Sequence, residues 1–224
     1  MDHENLIAID IHTHAEVSCW NPFDNYGEEY DRAADRYFKN GRRPTIQETI
    51  DYYRRIRIGL VMFTVDSESR LGRRRIPNEE IAEAAQKNGD MMMAFASIDP
   101  HKGRIGAREA ERLIEEHGVK GFKFHPTVQG YHPYDRMAWP IYEVINAHKL
   151  PAIFHTGHSG IGSGMRCGGG LRLDGSDYPL ITPERWMKDF EDAGFKPEVM
   201  PGILKGNAVR LLGLDQKPAA PAAA

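Results

Sequence analysis

The chain has 224 residues and a formal net charge of −3; 41% of its residues are hydrophobic and 27% are charged. This balance suits one soluble domain with a sizeable core. It argues against a nucleic-acid-binding protein, because the basic runs Arg42–Arg43 and Arg73–Arg75 are short. No apolar run approaches the roughly 20 residues of a membrane-spanning helix, and the first residues lack the order of a signal peptide, so we expect a cytoplasmic protein without membrane contact.

The first chemically informative stretch is Asp10–His14, which ends the apolar run Leu6–Ile11 and contains two histidines with one residue between them. Side chains alternate along a β-strand, so His12 and His14 would share one face, with Asp10 on the same face. Neutral imidazole is a common ligand of zinc, and a carboxylate behind it often fixes its tautomer. The two histidines are therefore candidate metal ligands. The alternative is two polar residues at a strand end.

Apolar stretches then alternate with helix-forming segments. Predicted strands begin near residues 58, 91, 119 and 151, about thirty residues apart, which is the period of a βα unit. Thr45 and Glu48 form a capping box that predicts a helix, and Asn78 and Asp135 are predicted to cap two later helices. Buried strands that alternate with amphipathic helices predict a parallel sheet. The continuous repetition favours an α/β fold of the TIM-type (β/α)8 barrel over a doubly wound sheet.

The repetition is interrupted in the last third of the chain. Between His158 and Asp177 the sequence is rich in glycine and leaves no room for a helix. Only a short sixth strand, Leu171–Asp177, can be added to the first five, whereas a closed barrel typically takes about 250 residues. We therefore expect an incomplete barrel of about six strands over residues 1–214 and a disordered tail at 215–224. Its open sheet edges predict a homo-oligomer or an aggregation-prone chain.

Two further strand ends carry side chains that can bind a metal. His155 ends the fifth predicted strand, and Asp177 lies at the last strand-to-helix turn. Three histidines and one carboxylate suit a mononuclear site of the zinc type that keeps room for water. Because the carboxyl ends of parallel strands meet at one edge, His12, His14, His155 and Asp177 together predict one divalent metal ion, with zinc as the first choice.

The end of the fourth predicted strand, Phe122–Pro126, offers candidate catalytic side chains. Lys123 and His125 lie on the face opposite the two phenylalanines. If that face is the barrel interior, both side chains reach the mouth of the site. A lysine paired with Asp10 or another inward carboxylate is an equally good interpretation. Three loop residues near the same mouth are candidate substrate contacts: Trp20, His158 and Arg166.

Four of these motifs together carry a resemblance to a known family. In chain order they are Asp10–His14, Gly121–Pro126, Phe154–His158 and Gly175–Pro179. They resemble the amidohydrolase superfamily, in particular the branch that contains aminocarboxymuconate-semialdehyde decarboxylase and related decarboxylases and hydrolases.

Within that branch, residues 15–23 and 127–136 are most similar to the 4-hydroxyphenyl-β-ketoacyl-CoA hydrolases. This resemblance implies a metal-dependent hydrolase that cleaves a carbon–carbon bond in an aromatic β-ketoacyl-CoA, so the expected partner is a small-molecule substrate of the acyl-CoA type. A nonoxidative decarboxylase of an aromatic or unsaturated acid is the main alternative. An inactive metal-binding remnant is another.

The resemblance also implies the origin of each ligand. The ligands would come from the first strand (His12 and His14), the fifth strand (His155) and the eighth strand, whose Asp177 would also handle the proton of the attacking water. Such proteins carry a sixth-strand histidine that helps catalysis, and this sequence lacks it. A substitute acid would have to come from His125 or His158, so we expect weak activity.

Overall fold

The computed structural model describes residues 1–21, 23, 32, 35, 43–72, 75–155, 178–179 and 181–215. Several sequence predictions fall outside these ranges: the strand candidate Leu171–Asp177, the interruption between Gly170 and Gly175, the site residues His158 and Arg166, and most of the predicted tail. The division into one domain at 1–214 and a tail therefore stays a prediction.

Within the described residues, five parallel strands follow one another in chain order. They are β1 (Ala8–His14), β2 (Ile58–Phe63), β3 (Met92–Ala94), β4 (Phe122–Phe124) and β5 (Ala152–Phe154). β1, β2 and β3 form one sheet, and β4 pairs with β5. A parallel bridge from Ala96 to Phe122 joins the two sheets, and another from Thr13 to Tyr178 adds a segment beside β1. This is the strand order of a barrel.

Helices follow the strands and cover their outer side. They are α1 (Ile46–Ile56), α2 (Glu68–Leu71), α3 (Asn78–Lys87), α4 (Gly103–Glu115), α5 (Pro126–Gln129), α6 (Trp139–Ala147), α7 (Pro183–Asp192) and α8 (Asn207–Leu211), with 3-10 turns at His3–Asn5, Pro100–Lys102 and Arg136–Ala138 and a π-helical turn at Gly202–Gly206. None of the helices in the described part of the chain is long and apolar enough to cross a membrane. The predicted incomplete (β/α)8 barrel of about six strands is confirmed.

Side chains of the strands alternate between two hydrophobic clusters. The larger, outer cluster lies under the helices and includes Leu60 of β2 and Ile50 of α1, both fully buried. The other, which we call the inner cluster, consists of Val61, Phe63, Phe95 and Ile153 with partly buried neighbours. Because the inner cluster fills the barrel interior, side chains that follow it at the carboxyl ends of the strands reach the barrel mouth.

β1 contains an irregularity that the sequence pattern does not reveal. Asp10 aligns with Leu60 but Thr13 aligns with Met62, so β1 has one extra residue between these two points. Asp10 therefore faces the helices, as Leu60 does, and its Oδ2 accepts a hydrogen bond from the hydroxyl of Tyr53 at 2.7 Å. The expectation that Asp10 shares the face of the two histidines is wrong, because a bulge reverses the alternation.

Two helix starts follow local sequence signals. Thr45 Oγ1 accepts from the backbone N–H of Glu48 at 3.2 Å, and Glu48 Oε2 accepts from the backbone N–H of Thr45 at 2.7 Å, which is the predicted capping box. Thr182 caps α7 by accepting from the backbone N–H of Arg185. Signals within three residues of each other in the sequence therefore account for the starts of α1 and α7.

Two other predicted caps are wrong, because a competing partner takes the side chain. Asn78 is the first residue of α3, and its amide pairs with the backbone of Ser97 at 2.9 and 3.0 Å. Asp135 precedes a 3-10 turn, and its carboxylate accepts from the backbone N–H of His132 at 2.7 Å. Asn78 thereby ties α3 to the chain that leaves β3.

Candidate metal and active site

The imidazoles of His12 and His14 meet at the end of β1. Their Nε2 atoms are 3.3 Å apart. Both rings pack against Phe63 of the inner cluster, with ring centroids 5.3 Å from it for His12 and 4.9 Å for His14. The two side chains thus lie together on the inner face, as the strand alternation predicted.

The distance between these nitrogens can be compared with that of two ligands on one ion. Two nitrogens that each lie about 2.0–2.1 Å from a tetrahedral zinc ion are roughly 3.3–3.4 Å apart. The separation of 3.3 Å between the Nε2 atoms of His12 and His14 fits this geometry. Without an ion, one imidazole can donate its N–H to the other across the same distance. The donor pair therefore fits a divalent metal ion.

Lys123 of β4 points to the same place. Its side chain is fully buried, and its Nζ lies 2.8 Å from His12 Nε2 and 4.8 Å from the centroid of the Phe63 ring. Phe122 and Phe124 belong to the outer cluster. Lys123 therefore faces the barrel interior, which is the condition under which the sequence places it at the mouth of the site. The site thus combines two imidazoles with a buried lysine, whose side chain attracts carboxylates when it is protonated.

His125 and His155, at the ends of β4 and β5, stack on each other. Their ring centroids are 3.9 Å apart and the ring planes differ by 7°. His125 Nδ1 accepts from the backbone N–H of Val128 at 3.4 Å, so the neutral ring carries its proton on Nε2. Both rings lie at the edge of the sheet at which β1 delivers His14.

The structure brings two of the four predicted metal ligands into direct contact. His12 and His14 meet, whereas His155 lies against His125. Among the residues that the structure describes, the three predicted histidine ligands do not form a group whose ligand atoms all lie within 4.8 Å of one another. Asp177 lies outside the described residues. His155 and Asp177 therefore stay predicted ligands.

Trp20 follows β1 and exposes 55% of its surface. Its segment is held by Glu80 of α3, a buried carboxylate that accepts from Ser18 Oγ and from the backbone N–H of Cys19, each at 2.5 Å, and from that of Trp20 at 3.2 Å. The amino end of α3 lies at the edge where the strands end, so this contact places Trp20 beside the mouth. The sequence offers no signal for Glu80, because glutamate in the first turn of a helix is usually solvated.

A buried ionic network supports the same edge. Asp66 follows β2, is fully buried, and accepts at Oδ2 from Lys102 Nζ at 2.6 Å and from the backbone N–H of Asp99 at 3.0 Å. Arg75 Nε lies 3.5 Å from the same oxygen, and Arg75 also contacts Glu109. Burial raises the pKa of Asp66. The hydrogen bond from Lys102 and the positive charges of Lys102 and Arg75 oppose this and limit the rise. In this network the positive charges of Lys102 and Arg75 compensate the buried carboxylate of Asp66 at the ends of the strands.

Gln129 of α5 connects this network to His125. Its Nε2 donates to the backbone oxygens of Asp66 and Ile98 at 2.7 and 3.3 Å, and its Oε1 accepts from the backbone N–H of His125 at 2.8 Å. The amide is fully buried. One side chain thus ties together the ends of β2, β3 and β4, a role that the sequence does not signal.

A sequence profile described as Amidohydrolase matches residues 9–170, well over half of the chain. The chain belongs to the amidohydrolase family. The matched region contains His12, His14, Lys123, His125 and His155, and it confirms the resemblance at the level of the family. The narrower group of β-ketoacyl-CoA hydrolases is not identified by this match. No curated protein matches the sequence.

Two solved structures show the same fold, and a third is similar over part of the chain. An uncharacterised TIM-barrel protein from Bordetella bronchiseptica is 17% identical, with a TM-score of 0.68 over 92% of this chain and 98% of that chain. Dihydroxybenzoic acid decarboxylase from Polaromonas, solved with manganese and the inhibitor 2-nitroresorcinol, is 13% identical, with a TM-score of 0.61 over 94% and 98%. A 5-carboxyvanillate decarboxylase from Novosphingobium aromaticivorans is 16% identical, with a TM-score of 0.45 over 69% of this amidohydrolase and 52% of that chain. This chain thus spans about half the length of the last protein.

Proposed function

We propose that this amidohydrolase is a metal-dependent decarboxylase that acts on a small aromatic or unsaturated acid, with a divalent ion held by His12 and His14. The observation that carries the proposal is the position of Lys123, whose buried Nζ lies 2.8 Å from His12 Nε2. A metal-binding pair beside a buried lysine suits a substrate that presents a carboxylate.

The decarboxylase from Polaromonas supports the reaction class, because it shares the fold and was solved with manganese and an aromatic inhibitor. It also makes manganese as good a candidate as the zinc that the sequence suggested. His155 and Asp177 would complete the ligand set.

When bound, the ion supplies a Lewis acid that polarises an oxygen of the substrate carboxylate or a neighbouring hydroxyl. Lys123 donates hydrogen bonds to the substrate and neutralises its charge. Phe63 and the rest of the inner cluster keep water from below the site, which strengthens these charge interactions. The substrate is thereby bound through its charged group.

Decarboxylation breaks the bond between the ring carbon and the carboxyl carbon. The electron pair stays on the ring carbon, which takes up a proton, and carbon dioxide leaves. That proton comes from a water molecule at the mouth, and the hydroxide left behind combines with the released carbon dioxide as hydrogencarbonate. Neutral His125 keeps its own proton on Nε2, because Nδ1 accepts from Val128, and can orient that water. Gln129 holds the backbone of His125 in place.

A second candidate is hydrolysis of an aromatic β-ketoacyl-CoA. The exposed Trp20 favours this reaction, because its ring offers a surface to an aromatic acyl group. Glu80 holds Trp20 in place, and the segment that contains Trp20 is most similar to those hydrolases. In this reaction water adds to the keto carbon, the neighbouring carbon–carbon bond breaks, and an aromatic acid and acetyl-CoA are released.

The experiment offers the manganese-loaded and the zinc-loaded protein dihydroxybenzoates and an aromatic β-ketoacyl-CoA, with and without a chelator. We expect metal-dependent release of carbon dioxide. A charge-assisted hydrogen bond is typically worth about 1.5–3 kcal/mol, so Lys123→Met should lower kcat/KM by roughly 10–150-fold. Lys120→Met, at an exposed lysine just before β4, should keep the activity.

Two outcomes contradict the decarboxylase. Release of acetyl-CoA without carbon dioxide would assign the hydrolase reaction instead. Absence of both products with metal bound would identify an inactive remnant. Circular dichroism of the Lys123→Met protein separates lost chemistry from lost folding.

A further inference from the structure

A second group of metal-binding side chains lies outside the proposed active site. It consists of Glu111 and Glu115 of α4 and His148, the residue after α6; one ligand atom from each lies within 4.8 Å of the other two. His148 Nε2 is 3.3 Å from Glu111 Oε1. Glu115 is exposed, and the other two are half-buried. The group therefore lies at the protein surface.

The fold explains why these residues meet. Glu111 and Glu115 are four residues apart on a helix, so they lie on the same face. α4 packs against α6, and His148 caps the carboxyl end of α6. Two carboxylates of one helix thus meet an imidazole at the end of its neighbour.

The group lies at the opposite end of the barrel from His12. α4 begins after β3, at the edge where the strands end, and it leads to the beginning of β4. Its carboxyl end at Glu115 therefore lies at the edge where the strands begin. In barrels of this type that edge contributes to stability rather than to catalysis. The second group is thus distinct from the proposed active site.

Electrostatics at this place favours a cation. Like charges four residues apart on a helix repel, and the carboxyl ends of α4 and α6 add partial negative charge. The nearby Arg112 is directed to Glu79 and His117. Within the group, His148 is the residue that approaches Glu111. A divalent ion would neutralise both carboxylates at once.

We propose that Glu111, Glu115 and His148 bind a divalent ion of the zinc type, which links α4 to α6. Two carboxylate oxygens and one imidazole nitrogen, with water in the remaining position, are a donor set that zinc accepts. An ion that binds this arrangement and not the unfolded chain stabilises the fold. The site is independent of the proposed decarboxylation.

The test is calorimetric titration of the full chain with Zn²⁺. We expect the unmodified protein to bind one more ion than Glu115→Gln and His148→Gln, or to bind that ion at least about 10-fold more tightly. The matched controls are Glu116→Gln and His132→Gln, which change an exposed glutamate and an exposed histidine outside the group; they should bind like the unmodified protein. Equal stoichiometry and affinity in all five proteins would overturn the proposal.

Hydrogen exchange provides a second readout that does not depend on the active site. Zn²⁺ should slow amide exchange in peptides over residues 111–118 and 144–150 of the unmodified protein, and His148→Gln should abolish this protection. Protection that persists in His148→Gln would also overturn the proposal. If His12 and His14 bind no metal, the total number of ions falls by one but the difference between the proteins remains. The two proposals can therefore fail separately.

Discussion

Replacing Asp66 with alanine perturbs the buried network that supports the barrel mouth. The carboxylate is fully buried and accepts hydrogen bonds from Lys102 and from the backbone N–H of Asp99, with Arg75 at 3.5 Å. Its removal leaves two half-buried cations, Lys102 and Arg75, with one fewer negative charge. We expect a strongly destabilised protein.

The size of the effect can be worked from the remaining contacts. Breaking a buried ion pair by removing one partner typically costs about 3–5 kcal/mol. Glu109 stays close to both cations, since it contacts Arg75 and lies 3.5 Å from Lys102 Nζ. We therefore expect the lower end, about 3 kcal/mol, from Asp66→Ala. Asp66→Asn, which keeps an acceptor oxygen, should cost less.

The assay is urea unfolding followed by circular dichroism. The matched control is Asp90→Ala, which breaks the ion pair with Arg54; the two side chains are 53% and 47% exposed. An exposed pair contributes about 0–1 kcal/mol, so this control should be nearly neutral. A loss for Asp66→Ala no larger than that for Asp90→Ala would refute the reasoning.

Three further predictions concern packing, hydrogen bonding and association. Gly121→Ala would place a methyl carbon 2.4 Å from the Phe95 ring and should lower the free energy of unfolding in urea by about 1–3 kcal/mol. Gly89→Ala, whose new carbon would have its nearest contact at 3.6 Å, should be nearly neutral. Equal effects of the two substitutions would contradict the packing around Phe95. Tyr53→Phe removes a buried donor to Asp10 and should cost about 1–3 kcal/mol in the same assay, so an unchanged midpoint would count against that contact. The sequence predicts open sheet edges, so the protein should associate with rising concentration, and light scattering that shows only a monomer at every concentration would exclude this.

Strand alternation was sufficient to predict the core of the candidate site. His12 and His14 meet on the inner face, and Lys123 joins them while Phe122 and Phe124 pack outward. These positions follow from a period of two residues, which a buried parallel strand obeys closely. The spacing of about thirty residues between strand starts predicted the parallel strands, and the resemblance of four motifs predicted the family.

The sequence could not predict features that depend on one extra residue or on a distant partner. The bulge in β1 turns Asp10 to Tyr53, although the sequence shows uninterrupted alternation. Asparagine is a residue type typical of helix caps, but the side chain of Asn78 instead makes two hydrogen bonds with the backbone of Ser97. Glu80 likewise accepts hydrogen bonds from the segment that contains Trp20, about sixty positions away in the chain. Such contacts are decided by tertiary packing, which overrides local preference.

The predictions for Asp177, His158 and Arg166 fall outside the described residues and remain predictions. They rest on the resemblance or on loop position, and not on a regular period. The metal itself therefore has to be tested through the histidines that the structure does place.

The metal content of the purified protein tests the central claim most directly. It is measured by plasma mass spectrometry after loading with Mn²⁺ or Zn²⁺ and desalting, in the His148→Gln background, so that the second proposed site does not contribute. We predict about one ion per chain, loss of that ion in His14→Ala, and retention in His132→Gln. Equal metal in His14→Ala and in its parent, with both proteins folded, would contradict the account.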